Sequence, residues 1–91
     1  MTILNEAESS VSGDRENSYG PPTKNIERIA ELWSTYTGVK LNGHDVCNMM
    51  VLLKISRHKN KYKKDNLIDI CGYAYLSEIL KNEEKKNETT K

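Results

Sequence analysis

Between Val46 and Ile55 the chain reads VCNMMVLLKI, with only Asn48 and Lys54 interrupting a run of apolar side chains. Wound at about 100° per residue, that run points apolar groups in every direction, so no face of the helix suits water. Such a helix has to be covered on more than one side. A chain of 91 residues holds little else to cover it, and the expectation is that a second subunit does. Met49 and Met50 suit that contact because thioethers adapt to irregular surfaces.

The size of the chain sharpens the point. One domain is the most that 91 residues allow. The last eleven, KNEEKKNETTK, carry no apolar side chain and cannot offset the entropy of ordering, so a single domain over 1–80 with a disordered charged tail over 81–91 is expected. A core of that size seldom supplies more than about 3–5 kcal/mol and usually leans on a disulfide, a metal or a partner. Cys47 and Cys71 each sit inside an apolar run, which with no export signal points to reduced thiols and a cytoplasmic protein. No CxxC or Cys/His cluster of zinc spacing is present, and His44 and His58 stand alone with no assigned role. The longest unbroken apolar run, Met49 to Leu53, is far too short to span a bilayer. A homo-oligomer built through the third helix remains as the stabiliser.

Everything else reads as helix. Ile3, Leu4, Ala7 and Val11 fall at helical spacing, and Gly13 ends that segment. Pro21-Pro22 predicts extended backbone, after which Thr23 or Asn25 caps a second helix running to about Thr37. Its stripe is Ile26, Ile29, Ala30, Trp33 and Tyr36, and Gly38 closes it. Asn42 and Asp45 form the start signal of the third helix, with the acid in the first turn where the helix dipole favours it. A fourth helix runs from Lys64 or Asp65 to about Lys81. No alternating run suggests a strand. The expected fold is an all-α bundle of three to four helices in which the third and fourth form an antiparallel hairpin.

That hairpin gathers charge. Lys54 and Arg57 share one face of the third helix; Asp65, Asp69 and Tyr73 share one face of the fourth. Folding at about residue 61 is expected to set Arg57 beside Asp65 and Lys54 beside Asp69. Two structural ion pairs are the plain reading. A ligand site is the sharper one, with Arg57 and Lys54 gripping phosphate and the two aspartates holding Mg²⁺ or accepting hydrogen bonds from a base or ribose. The loop GDRENSYGPP would lie over it, Arg15 reaching phosphate, Tyr19 stacking on a base and Asp14 adding an acid. The basic run Lys59, Lys61, Lys63 and Lys64 reads as a solvated turn, and a net charge of +1 gives no field to draw nucleic acid.

GDRENSYGPPTKNIERIAELWSTYTG, followed by DVCNMMVLLKISRHKNKYKKDNLIDICGYAYL, resembles a small family of uncharacterised phage and prophage proteins. These join a GDR…YG…N segment and a Trp-bearing helix to a K-I-x-R…D…D-I-x-G-Y hairpin, here from about Leu4 to Leu80. The resemblance implies a phage origin and a place in the bacterial host's cytoplasm. More distantly the arrangement is similar to the all-α nucleoside triphosphate pyrophosphatases of the MazG type, oligomeric bundles that bind Mg²⁺ through clustered acids. The chain departs from that pattern. Asp65 and Asp69, with at best Glu27 and Glu31, stand where an E-E-x-x-E and an E-x-x-D helix are expected, and Lys54 and Arg57 replace further acids.

The leading expectation is a phage-type helical oligomer that binds a phosphorylated nucleotide or related small molecule without turning it over, a property that would serve to sequester a host defence signal. Its ligand residues are Asp14, Arg15, Tyr19, Lys54, Arg57, Asp65, Asp69 and Tyr73. The first alternative is a Mg²⁺-dependent pyrophosphohydrolase with Asp65 and Asp69 as metal ligands. The second is a protein-binding module that captures a host factor through the apolar third helix.

Overall fold

A computed structural model describes residues 1–12 and 21–90. The described residues form four helices and no strand: α1 (Ile3–Ser12), α2 (Pro22–Thr37), α3 (Gly43–Asn60) and α4 (Lys64–Thr90). The all-α bundle read from the periodicity is the fold observed.

α3 and α4 make the hairpin. Lys54 meets Asp69 and His44 meets Ser77, so the pairing runs backwards along α3 as it runs forwards along α4. α1 lies along the first half of α4 in the same direction, with Glu6 at Lys64 and Val11 against Gly72. α2 packs on the hairpin at the end away from its turn, where Ile26 approaches both Gly43 and Leu80. The core is the meeting of these elements: Ile26 and Ala30 from α2, Val46 and Cys47 from α3, Leu76 and Leu80 from α4. Val11, Ile29, Trp33, Met50 and Tyr73 pack around it, partly buried.

Helix boundaries follow local chemistry. α2 begins at least two residues sooner than its polar residues suggested: Pro21 is the N-cap in extended backbone and Pro22 is already helical, since a proline loses nothing where the N–H has no partner. Thr23 is consequently not a cap but a buried residue whose hydroxyl reaches Glu83 at 3.5 Å. Gly38 ends α2 in the left-handed region, at φ 74°, and its N–H returns to the Ser34 carbonyl. At the start of α3 the Asn42 side chain accepts from the Asp45 N–H at 2.9 Å while the Asp45 carboxylate accepts from the Asn42 N–H at 3.0 Å, a reciprocal capping box.

The third helix, expected to carry Arg57 and to turn at about residue 61, ends at Asn60. Two expectations need correction. Tyr36, placed in the apolar stripe of the second helix, is 92% exposed. The charged tail expected from Lys81 onward is helix as far as Thr90. Its first turn is tied down, by Thr23 on Glu83 and His44 on Glu84, and Lys81 pairs with Glu84 one turn along. Polar composition alone did not reveal those long-range anchors.

Both cysteines are free thiols, as their surroundings implied. Burial pushes the Cys47 thiol up to about 11.

Candidate functional site

α1, α2 and the hairpin do not close completely, and the space left between them is a cavity of about 240 Å³. Val11 comes from α1, Ile26 and Ile29 from α2, Met50 from α3, and Ile68, Gly72, Tyr73 and Leu76 from α4. Ser10, Asn25 and Asp69 line it as well and, with the Tyr73 hydroxyl, bring polar side-chain groups to an otherwise apolar lining. Gly72 matters to its shape: it is buried at the wall, and a Cβ there would come to 3.7 Å from Val11. Pockets for drug-sized ligands run to about 300–1,000 Å³, so this one suits a single flat ring system or a short apolar group.

Two residues assigned to a ligand from the sequence, Asp69 and Tyr73, therefore line one cavity. Lys54 is beside them but is already committed. Its Nζ lies 2.9 Å from Asp69 Oδ2, with the lysine side chain 15% exposed and the aspartate 34% exposed. Lys54 thus holds the carboxylate at the rim instead of waiting for phosphate. The second expected pair does not form. Arg57 and Asp65 are both exposed, and neither makes an ion pair with a described residue. Lys64 takes the position across from the hairpin tip, 2.8 Å from Glu6 Oε2, and its ammonium is held above the usual lysine value first by that contact and then by the charge of Glu6.

Met50, which lines the cavity, Lys54 and Arg57 are spaced at i, i+4 and i+7, one line along α3. The Arg57 backbone stands about 4.5 Å further along the axis than that of Lys54, and its side chain pairs with no described carboxylate. Asp14, Arg15 and Tyr19, the remaining expected ligand residues, lie outside the described residues. Ser10, Val11 and Pro22, which flank that segment in sequence, are at the cavity.

Among the described residues no group of three His, Cys, Asp or Glu side chains converges as a metal site would require. Asp69 faces an ammonium, and Asp65 is one turn away at the surface. Glu27 and Glu31 are exposed on α2, the former 3.8 Å from Lys24. No described helix is long and apolar enough to cross a membrane.

One polar constellation went unread in the sequence. His44 Nδ1 is 2.9 Å from Ser77 Oγ, and its Nε2 is 3.1 Å from Glu84 Oε1. Ser77 and Glu84 are seven apart, two turns on one face of α4, and His44 is in the first turn of α3. The i, i+7 spacing was available as a signal. What was missing was the register of the hairpin, which alone brings His44 to that face. His44 and Ser77 line an open depression with Lys81, Asn82 and Lys85, and the triplet fastens the start of α3 to the far half of α4.

Comparison with known proteins agrees with the phage resemblance in its broad form. The chain is 46% identical over 80 residues to the Gene 55 protein of Mycobacterium phage L5, covering 86% of this chain and 51% of that protein. It is 38% identical over 88 residues to the Gene 55 protein of Mycobacterium phage D29, covering 96% and 58%. The chain thus spans about half the length of the curated relatives it matches. No solved structure matches it. Residues 2–81 match the family described as Domain of unknown function (DUF6378), and the chain belongs to that family.

Proposed function

We propose that this domain binds a small phosphorylated nucleotide, or a ligand of the same chemistry, with its ring system in the cavity and its phosphate toward Arg57. The observation that carries the reading is the cavity itself: apolar walls of base-like size with a carboxylate fixed at the rim. Because Lys54 occupies Asp69 Oδ2, the other oxygen is left to accept from a ring N–H, an exocyclic amine or a ribose hydroxyl. Tyr73 offers a ring face at the same wall. Arg57 supplies the planar donor fork that phosphate favours, and no described carboxylate competes for it.

Binding without turnover is the reading favoured over Mg²⁺-dependent hydrolysis. A metal at Asp69 would have to displace the Lys54 ammonium or lie against it, and two cations on one carboxylate repel. Sequestration of a nucleotide signal is a task such binding would serve.

The test is a thermal-shift screen of the purified chain against nucleoside mono- and diphosphates and cyclic nucleotides. A ligand present at 100 times its Kd should stabilise the fold by about 2.7 kcal/mol. Asp69→Asn and Arg57→Ala should each remove the shift while leaving the unliganded protein folded. A screen in which no nucleotide moves the melting temperature would remove the proposal. Pyrophosphate released from a nucleoside triphosphate with Mg²⁺ would replace it by the hydrolase reading.

A further inference from the structure

Among the described residues nothing covers the outer side of α3. On the outer side of α3, Leu52 is 65% exposed, Ile55 49%, Met49 40% and Leu53 39%. With Lys54 turned inward to Asp69, the stretch from Asn48 to Ser56 shows no charge on that side. Leu52 is the centre of the outer arc, and the residues on either side of it correspond in pairs. Three positions away are Met49 and Ile55, both apolar; four away are Asn48 and Ser56, both small and polar. Seven away are Asp45, an acid, and Lys59, a base. All seven fall within about 60° of Leu52 around the helix.

We infer that α3 is the interface of a homodimer in which two copies pack antiparallel with a two-fold axis at Leu52. A two-fold contact must be self-complementary, and in an antiparallel pair a residue n places before the axis lies level with the residue n places after it in the other copy. Near the centre line Leu52 meets Leu52, and Asp45 meets Lys59 at each end of a contact about 21 Å long. On the flanks Met49 meets Ser56 and Ile55 meets Asn48, because the two-fold keeps each residue on its own flank. A parallel pair would set Asp45 on Asp45 and Lys59 on Lys59, so the charges choose the direction. The capping box employs one oxygen of Asp45 and leaves the other for the lysine of the second copy. A patch of one helix face is at the small end of specific interfaces, and dissociation in the micromolar range follows. This inference is independent of the cavity and its ligand.

Sedimentation equilibrium of the full chain over micromolar to millimolar concentrations should show monomer in exchange with dimer. Leu52→Asp, a change at an exposed position, should stay helical by circular dichroism and remain monomeric throughout. Lys59→Glu should raise the dissociation constant at least tenfold by facing Asp45 with a like charge. Geometry is read by mild oxidation, scored as the identified disulfide against the wild-type background of Cys47 and Cys71. Leu52→Cys should cross-link to itself, whereas Met49→Cys should cross-link to Ser56→Cys in a mixture and neither to itself. A chain monomeric at every concentration overturns the inference, as does a dimer that Leu52→Asp leaves intact. Self-cross-linking of Ile55→Cys as readily as of Leu52→Cys would show parallel helices and overturn it equally.

Discussion

Lys54 Nζ and Asp69 Oδ2 are 2.9 Å apart, and this contact fixes the register of the hairpin at the edge of its cavity. Both groups are partly shielded from water, so the pair lies between an exposed ion pair of roughly 0.2–1 kcal/mol and a buried one whose rupture costs about 3–5 kcal/mol. Lys54→Ala leaves Asp69 with no counter-charge and should cost about 1–3 kcal/mol, lowering Tm by about 4–8 °C per kcal/mol in a domain of this size. Urea unfolding of Lys54→Ala, Asp69→Asn and the double variant isolates the coupling. The double variant should be less destabilised than the sum of the singles.

His44 should behave as a clasp on the far half of α4. His44→Ala deletes contacts to Ser77 and Glu84, each worth about 1 kcal/mol at most because both partners reach water. Global stability should fall by about 1 kcal/mol, while hydrogen exchange beyond Ser77 should accelerate more than exchange in α1. Uniform acceleration across the chain would show that the clasp is not local.

Cys47 gives the protein an alkaline limit. Its thiol titrates near 11 when folded, against an ordinary value of 9.0, because burial penalises the thiolate. Between those values the unfolded chain loses a proton that the folded chain keeps. Stability is therefore whole below pH 9 and is drained as pH rises toward 11. Denaturant titrations across that range should show a decline that Cys47→Ala, though less stable at neutral pH, flattens. Alkylation at neutral pH should reach Cys71, which is partly exposed, well before Cys47.

How far the sequence reached depended on how local the cause was. Gly38 as the end of the second helix and Asn42 with Asp45 as the start signal of the third are settled within five residues, and both appear as read; the left-handed φ and the reciprocal capping bonds came with the structure. Lys54 against Asp69 needed only the turn position, because an antiparallel hairpin propagates one register along both helices. Arg57 against Asp65 failed under the same logic, since near the tip both side chains extend into water where such a pair gains little. The His44 clasp and the anchoring of Glu83 by Thr23 join elements distant in sequence. The first could not be seen before the register of the hairpin was known, nor the second before the placement of α2 on α4. The cavity is still less legible, because it is a shortage of side-chain volume where four helices meet.

Gly43 and Gly72 turn that packing into a test with opposite signs. Each is a helical residue, so alanine there gains about 0.5–1 kcal/mol of helix propensity and chain entropy. At Gly43 the added Cβ would sit 2.9 Å from Leu80 Cδ1 and 3.2 Å from Ile26 Cγ2, and overpacking of that kind costs about 1–3 kcal/mol. Gly43→Ala should be destabilising, with the start of α3 forced away from the core. At Gly72 the nearest atom is Val11 Cγ2 at 3.7 Å, an ordinary contact, so Gly72→Ala should raise Tm. The methyl would also stand in the cavity wall. A more stable protein that no longer responds to a nucleotide stabilising the wild type is the expected outcome, read by paired melting curves with and without that nucleotide. If Gly72→Ala keeps the full ligand response, the ring system does not lie against this wall.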